Sequence, residues 1–209
     1  MPEPRWQGDE ADLAERSVFL YTAGMKTVDA HPKDRLLATA SRLFYAEGIH
    51  AVGVERLVSE ASVTRATFYR HYPAKDDLVT AYLTETSRQI RAAVEAARAG
   101  KPPREGLADT MAVVGDATRG EDFRGCQFLN AAAEYPDPRH PVRAVIDDHR
   151  NWFFEVLREQ AAALGHPEPD HAARVLVLLR DGALHGGELD DAGKVRATLR
   201  RAVEDLFPA

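Results

Sequence analysis

The sequence predicts an all-α protein, and three patterns lead to that prediction. Apolar residues recur at spacings of three and four along most of the chain, which is the period of an amphipathic helix. No segment shows the sustained alternation of apolar and polar residues that is typical of a half-buried strand. Clusters of glycine and proline divide the helical segments from one another. We therefore expect a bundle of helices joined by short connections.

The composition favours a soluble protein of the cytoplasm. The chain has 209 residues, of which 44% are hydrophobic and 29% are charged, as in ordinary globular proteins. Its single cysteine excludes an internal disulfide framework. No apolar run reaches the roughly 18 residues that a membrane-spanning helix needs. Residues 1–33 are an N-terminal extension without the apolar core of a signal peptide, and the sequence leaves open their role and whether Met25 is the natural start.

Three short helices are predicted within residues 34–74. The first carries an apolar stripe and ends at Gly48, and the second follows after a short loop. Thr64 is placed to cap the third, because its hydroxyl can accept a hydrogen bond from a backbone N–H of the first turn. That helix should end near Tyr72, since Pro73 disfavours helical geometry in the residue before it.

Six further helices are predicted within residues 75–209. Glycine- and proline-rich segments mark the breaks between them. Asp170 is a candidate N-cap for the eighth helix. The predicted helices cover approximately 75–99, 105–118, 123–134, 141–164, 170–185 and 191–207.

Basic residues are concentrated in one part of an acidic chain. The whole chain has a formal net charge of −6. Residues 33–75 hold seven basic and four acidic residues, so this window carries +3 and the remainder −9. A basic patch on an acidic body is one indication of nucleic-acid binding, although ordinary scatter of charge could also produce it.

The segment VERLVSEASVTRATFYRHY, residues 54–72, has the length and spacing of a helix-turn-helix. In such a motif the N-terminal half of the second helix enters the major groove, so Arg65 and Thr67 are placed to meet base edges. Tyr69, His71 and Tyr72 follow at positions suited to phosphate oxygens. The candidate DNA contacts are Thr64, Arg65, Thr67, Tyr69, His71, Tyr72 and Lys75. The alternative is that the tyrosines pack in the core and that the cations are ordinary surface charges.

Residues 34–80 resemble the DNA-binding domain of the TetR family of transcriptional regulators. The resemblance is carried by LFYAEGIHAVGV and by ERLVSEASVTRATFYRHYPAKDDLV, which follows it directly. It implies about nine helices, with an N-terminal three-helix helix-turn-helix domain over residues 34–74. A C-terminal helical domain for ligand binding and dimerisation would occupy residues 75–209. It further implies a ligand-responsive repressor that binds a palindromic DNA operator as a dimer, with the fourth helix acting as a lever.

Two positions depart from the pattern of the family. Members often have glycine where this chain has Ser62, and serine tolerates a left-handed backbone less well. Members often have threonine and serine where this chain has Val52 and Gly53, and valine cannot make a side-chain hydrogen bond to phosphate. We therefore expect affinity to depend more on Thr64, Tyr69 and Lys75.

The last two predicted helices carry continuous stripes of apolar and small residues. Two such helices from each of two chains could form a four-helix interface, and a pair of helix-turn-helix units gains affinity by binding two half-sites. We therefore expect a homodimer through these two helices, the alternative being that they pack only on their own chain. The stripes are Ala172, Val175, Leu176, Leu179 and Ala183, and Val195, Leu199, Ala202, Val203 and Leu206.

The helix after Pro141 has His149 and Gln160 on an otherwise apolar face. Polar groups that face a core need partners, which could be a ligand, another side chain or water. No arginine or lysine falls on this face, so a pocket here would suit a hydrophobic small-molecule effector with few hydrogen-bonding groups. The candidate ligand-binding residues are Phe123, Cys126, Gln127, Asn130, His149, Trp152 and Phe153.

Catalysis has little support in the sequence. The eight histidines form no metal-binding pattern, and no glycine-rich phosphate loop or nucleophile motif is present. We expect no catalytic residues, no metal and no cofactor. The competing hypothesis is an all-helical enzyme or small-molecule binding protein.

Overall fold

The computed structural model describes residues 31–120 and 122–208. Within those ranges the chain forms nine helices and no strand, so the prediction of an all-α protein is confirmed. The helices are α1 (Pro32–Glu47), α2 (Val54–Glu60), α3 (Arg65–His71), α4 (Lys75–Arg98), α5 (Pro103–Ala117), α6 (Gln127–Glu134), α7 (Pro141–Ala163), α8 (Pro169–Gly186) and α9 (Ala192–Leu206).

Helices α1 to α3 form an N-terminal unit around a small apolar core. Leu43 from α1, Leu57 from α2 and Phe68 from α3 are each completely buried. The turn between α2 and α3 is held by Arg35, whose side chain donates to the carbonyls of residues 61 and 62 at 3.0 Å each. These two hydrogen bonds hold the turn between α2 and α3 against α1.

Helix α4 connects the N-terminal unit to the C-terminal bundle, which consists of α5 to α9. Near its start Tyr82 packs edge-on against Phe44 of α1, with ring centroids 5.8 Å apart. One turn further on, Ser87 and Arg91 reach α7 through His149 and Asp148. A single helix therefore contacts both parts of the molecule.

The C-terminal bundle is closed by α8 packed on α7 and by α9 packed on α5. Gln160, expected to need a partner, is buried and bonds to the Thr110 hydroxyl and the Val156 carbonyl. None of the described helices is long and apolar enough to cross a membrane.

The predicted boundaries were wrong at two helices. Helix α6 begins at Gln127 and not near Phe123, because Gly125 adopts a positive φ of 75° and keeps the preceding residues in a loop. Helix α8 begins at Pro169, which suits a first turn because proline lacks the N–H that would be unpaired there. Asp170 therefore lies inside the first turn and is not the N-cap.

Part of each predicted dimer stripe packs within this chain. On α8, Ala172 and Leu176 are completely buried, and on α9 Leu199 and Val203 are buried. Of the α8 stripe, Val175, Leu179 and Ala183 stay half-buried, and beside them Leu178, which is not part of the predicted stripe, is 67% exposed.

We predict that Ser62→Gly stabilises the protein. Ser62 has a φ of +51°, the one positive φ of a residue other than glycine in the described chain. A left-handed conformation costs such residues about 1–2 kcal/mol, whereas glycine loses about 0.5–1 kcal/mol of chain entropy. We expect the free energy of unfolding to rise by up to about 1 kcal/mol in urea denaturation. Ser59→Gly, at an exposed helical position of α2, is the control and should lower it; a loss at both positions would contradict the argument.

Candidate DNA-binding surface and regulatory core

At the start of α3, a side chain accepts a hydrogen bond from a first-turn N–H group that has no acceptor within the helix. The Thr64 hydroxyl accepts a hydrogen bond from the Thr67 N–H at 3.1 Å and lies 2.9 Å from the Thr67 hydroxyl. Phe68 is completely buried and anchors the opposite side of the helix. The residues between these points therefore face outward.

Arg65 and Tyr69 form the exposed face of α3. The Arg65 side chain is 63% exposed, and its guanidinium lies 3.1 Å from the Glu55 carboxylate of α2 and 5.9 Å from the centre of the Tyr69 ring. Tyr69 is 42% exposed. Both side chains can reach a ligand in front of the helix, and Glu55 stands beside them.

Tyr72 does not lie on that face, which corrects the prediction from sequence. Its side chain is 3% exposed, and its hydroxyl is buried without a hydrogen-bond partner among the described residues. Burial raises the pKa of this hydroxyl. His71 is half-buried and packs edge-on against His31 at 5.3 Å. Both residues serve the packing of α3 and present little polar surface.

Lys75 also differs from its predicted role. Its ammonium donates to the Ile49 carbonyl at 2.5 Å instead of pointing away from the protein. Burial lowers the pKa of this ammonium, and the nearby Glu134 carboxylate opposes the shift. Lys75 therefore holds the loop of residues 48–53, which leads into α2.

Glu134, at the end of α6, binds the same loop from the other side. Its carboxylate accepts from the Ile49 N–H at 2.8 Å and from the His50 N–H at 2.6 Å. The His50 ring lies 3.6 Å from the same carboxylate. A carboxylate is unfavourable at the C-terminal end of its own helix dipole, so these two backbone bonds provide the stabilisation that the position lacks.

Two further contacts join the flanks of α6 to the N-terminal unit and to α4. The Tyr45 hydroxyl donates to the Gly125 carbonyl at 3.0 Å and accepts from the Arg124 N–H at 2.7 Å, and burial raises the pKa of Tyr45 to about 12. The Tyr135 hydroxyl donates to the Asp76 carboxylate at 2.7 Å. Helix α6 and its ends are therefore tied to the N-terminal unit at several points.

The opposite side of α6 enters the core around His149. The His149 ring stacks on Phe128 with centroids 3.8 Å apart, and it lies 5.5 Å from Trp152. Its Nδ1 is 3.0 Å from the Ser87 hydroxyl, and Nε2 is buried without a hydrogen-bond partner among the described residues. Burial, reinforced by two nearby arginines, lowers the pKa of His149 to about 3. The imidazole is therefore neutral at physiological pH.

A cation reaches this core from α8, a helix that the sequence argument assigned to the dimer interface and not to the core around His149. Arg180 of α8 is 6% exposed, and its guanidinium lies 5.2 Å from the Phe153 ring centre and 3.5 Å from the Cys126 sulfur. It also pairs with Asp181 at 2.8 Å. The inward face of α7 carries no arginine or lysine, but Arg180 of α8 supplies a guanidinium to the same core.

The seven candidate ligand-binding residues do not surround one open space. His149 and Trp152 belong to the ring stack, and Phe153 lies under Arg180. Gln127 and Asn130 instead line, together with Tyr45 and Tyr82, a space of about 10 Å³, which is at the lower limit of the space that can hold one water molecule. Phe123 and Cys126 are buried in the loop before α6. Among these candidates, His149 and Trp152 therefore contact other aromatic side chains.

Several residues that organise these surfaces were missed by the sequence analysis. Glu134, Tyr45 and Arg180 act across elements that are far apart in the chain, whereas Glu55 acts on Arg65 of the next helix. The one local signal was the acidic residue at the C-terminal end of α6, where the helix dipole favours a base. In the part of the chain that the structure describes, no three histidine, cysteine or acidic side chains are grouped as a metal site.

Sequence comparison relates this chain to bacterial regulators. The family model described as bacterial regulatory proteins, tetR family, matches residues 36–82. The chain is 22% identical to the HTH-type transcriptional regulator YjdC of Escherichia coli (strain K12) over 178 residues, which cover 84% of this chain and 93% of that protein. It is 29% identical over 90 residues to the HTH-type transcriptional regulator TcmR of Streptomyces glaucescens, covering 43% of this chain and 40% of that protein.

Solved structures extend the similarity to most of the fold. A TetR-family transcriptional regulator from Streptomyces coelicolor is 47% identical, with a TM-score of 0.82 over 84% of this chain and 94% of that chain. A putative TetR-type regulator from Streptomyces avermitilis is 29% identical, with a TM-score of 0.76 over 85% of this chain and 98% of that chain. The similarity therefore includes the C-terminal bundle as well as the N-terminal unit.

We predict that Glu134→Gln loosens the 48–53 loop. Hydrogen bonds to charged groups contribute about 1.5–3 kcal/mol, and the substitution removes the charge and one of the two acceptors. Amide exchange at Ile49 and His50 should accelerate, and the free energy of unfolding should fall by up to that amount. The control is Glu155→Gln, which loses an exposed pair with Arg158 and should change stability by less than about 1 kcal/mol. Unchanged exchange at both amides would contradict the role of Glu134.

We predict that His149 makes the protein sensitive to acid. In the unfolded chain this histidine gains a proton near its ordinary pKa of 6.5, whereas the buried ring resists protonation down to about 3. Its contribution to stability is therefore complete above pH 6.5 and is lost as the pH falls towards 3. Between pH 7 and pH 5 the loss should be about 2 kcal/mol.

Denaturation by urea at the two pH values measures this loss. His149→Gln should flatten the pH dependence, whereas His185→Gln, at an exposed position of α8, should leave it unchanged. Equal slopes in wild type and His149→Gln would show that another group is responsible.

Proposed function

We propose that this chain, which belongs to the TetR family of transcriptional regulators, is a ligand-responsive repressor that binds a palindromic operator as a homodimer. The observation that carries the proposal is the outward face of α3, where Arg65 and Tyr69 are exposed beside the capped N-terminus at Thr64. Such a helix can lie in the major groove with its N-terminal residues at the base edges. The proteins compared above are transcriptional regulators, so the alternative of an enzyme is not favoured.

In this proposal some residues at α3 contact DNA bases and others contact the DNA backbone. Arg65 leads the helix and would donate to a base edge, exchanging its pair with Glu55 for that contact. The Tyr69 and Thr64 hydroxyls would donate to phosphate oxygens and fix the register. Lys75 would act indirectly, by holding Ile49 and with it the start of α2.

A dimer would place two such helices on one face of the DNA. Half-sites one helical turn apart lie about 34 Å from each other, so each operator half would be read by one chain. The exposed Leu178 and the half-buried Leu179 on α8 support an interface through the last two helices. An operator on the chromosome implies action in the cytoplasm.

A conformational change in the C-terminal bundle would reach the N-terminal unit through α6 as well as through α4. One side of α6 stacks on His149 through Phe128, and its end holds Ile49 and His50 through Glu134. A movement of α6 would therefore release or tighten the loop before α2. This route adds to the lever role expected of α4.

Selection from a random DNA duplex library tests the proposal directly. We expect an enriched inverted repeat, which two chains bind together. Recovery of a single half-site bound by one chain would contradict the dimeric operator, and the absence of any enriched sequence at low salt would contradict the function.

Variants then separate the roles of individual side chains. Arg65→Ala should weaken binding to the selected site by about 1–3 kcal/mol and relax the preference at one base position in each half-site. Arg88→Ala, an exposed arginine of α4 that is paired with Glu85, is the control and should leave preference unchanged. Fluorescence anisotropy on single-base variants of the site measures both quantities. An unaltered base preference in Arg65→Ala would remove this residue from base recognition.

A further inference from the structure

A groove of about 380 Å³ runs between α5 and α9, and none of its lining residues belongs to the ring stack around His149. We propose that it binds an amphipathic monocarboxylate, a molecule with one carboxylate and an apolar tail. Its volume lies within the range of small-molecule sites. The binding site itself does not depend on the proposed function. Only the further step, that this molecule is the effector of the repressor, rests on that function.

The groove is open because the facing side chains are too small to close it. Ala108 and Ala112 on α5 face Gly193 and Ala197 on α9. Below them, larger side chains form an apolar floor that is buried under the groove. The floor consists of Met111, Leu199 and Val203.

Both ends of α9 are nevertheless fixed to α5. At the C-terminal end, the Arg104 guanidinium donates to the carbonyls of Phe207 at 2.5 Å and Pro208 at 3.0 Å. At the other end, Arg196 packs so closely on Gly115 that a Cβ added at residue 115 would lie 3.3 Å from the Arg196 Cγ. Because the ends are held, the groove is not produced by loose docking of α9.

The charges at the two ends of the groove differ. The Asp116 carboxylate lies 3.3 Å from the Arg196 guanidinium and 3.8 Å from that of Arg119, and both arginines line the groove. At the opposite end, Asp109 pairs with Lys101 and Glu204 pairs with Arg200. Among the described lining residues, the end beside Asp116 therefore has two cations for one anion.

This arrangement selects the chemistry of the ligand. Guanidinium groups bind carboxylates in a planar, two-bonded geometry, and a single negative charge matches the single surplus cation. The floor of Met111, Leu199 and Val203 would cover an alkyl tail. A polyanion would bring more charge than the site can balance.

Occupancy of the groove would act on the proposed dimer. Helix α9 is one of the two helices expected at the interface, and it borders the groove along most of its length. A molecule in the groove would lie against α9 beside the proposed dimer interface and change how α9 packs on the partner chain, and with it the distance between the two α3 helices. We therefore expect the ligand to lower affinity for the operator.

Calorimetric titration with decanoate, decanol and butyrate tests the site. Decanoate should bind at least tenfold more tightly than decanol, which lacks the charge, and than butyrate, which lacks the tail. Arg119→Gln should reduce the affinity for decanoate about tenfold and leave decanol unchanged. Ala112→Phe should abolish binding by filling the groove, whereas Ala144→Phe, at an exposed position of α7, is the control for added bulk.

The outcomes separate the site from the function. Equal binding of decanoate and decanol, or binding that neither Arg119→Gln nor Ala112→Phe reduces, overturns the site. Operator binding without decanoate binding overturns the site alone, and decanoate binding without any operator binding overturns the function alone. Decanoate that binds in the groove and leaves operator affinity unchanged supports the site and overturns its role as effector.

Discussion

The joint between the N-terminal unit and the C-terminal bundle depends on one carboxylate. Glu134 accepts two backbone N–H groups of the loop that precedes α2, and Lys75 binds the carbonyl of the same loop. Backbone groups in a partly buried loop must find partners, and here they find them in α6 and α4. The position of the loop before α2 is thus set by side chains from outside the three-helix unit, and the state of the bundle can influence the unit without any change inside it.

The bundle contains two regions with different physical properties. Around His149, rings stack at short distance and a neutral imidazole is packed with an arginine, so any opening there would separate well-packed groups. Between α5 and α9 the facing residues are small, and the space is open before any ligand arrives. The first region suits the transmission of movement through α6, and the second suits the binding of a molecule.

The candidate DNA surface shows how far a linear motif can be interpreted. Thr64 caps α3 and Arg65 is exposed, as their positions in the motif predicted. Tyr72 and Lys75 have the residue types that often meet phosphate, but one is buried and the other is bound to Ile49. A seven-residue helix has only about two turns, so few of its residues stay exposed once one side packs on the core. The sequence shows which residues could donate hydrogen bonds to phosphate, whereas packing decides which of these side chains are exposed.

The sequence by itself determined the all-α class, the approximate bounds of the helices and the cap at Thr64. These features depend on local rules: apolar spacing of three and four, prolines at first turns, and a hydroxyl at an N-cap. Tertiary structure alone decided that Glu134 meets Ile49, that Arg180 of α8 enters the core, and that the open space lies between α5 and α9. Each of these contacts joins residues separated by many positions in the chain. No local periodicity encodes such pairs, because they arise only when helices pack and their side chains compete for the same space.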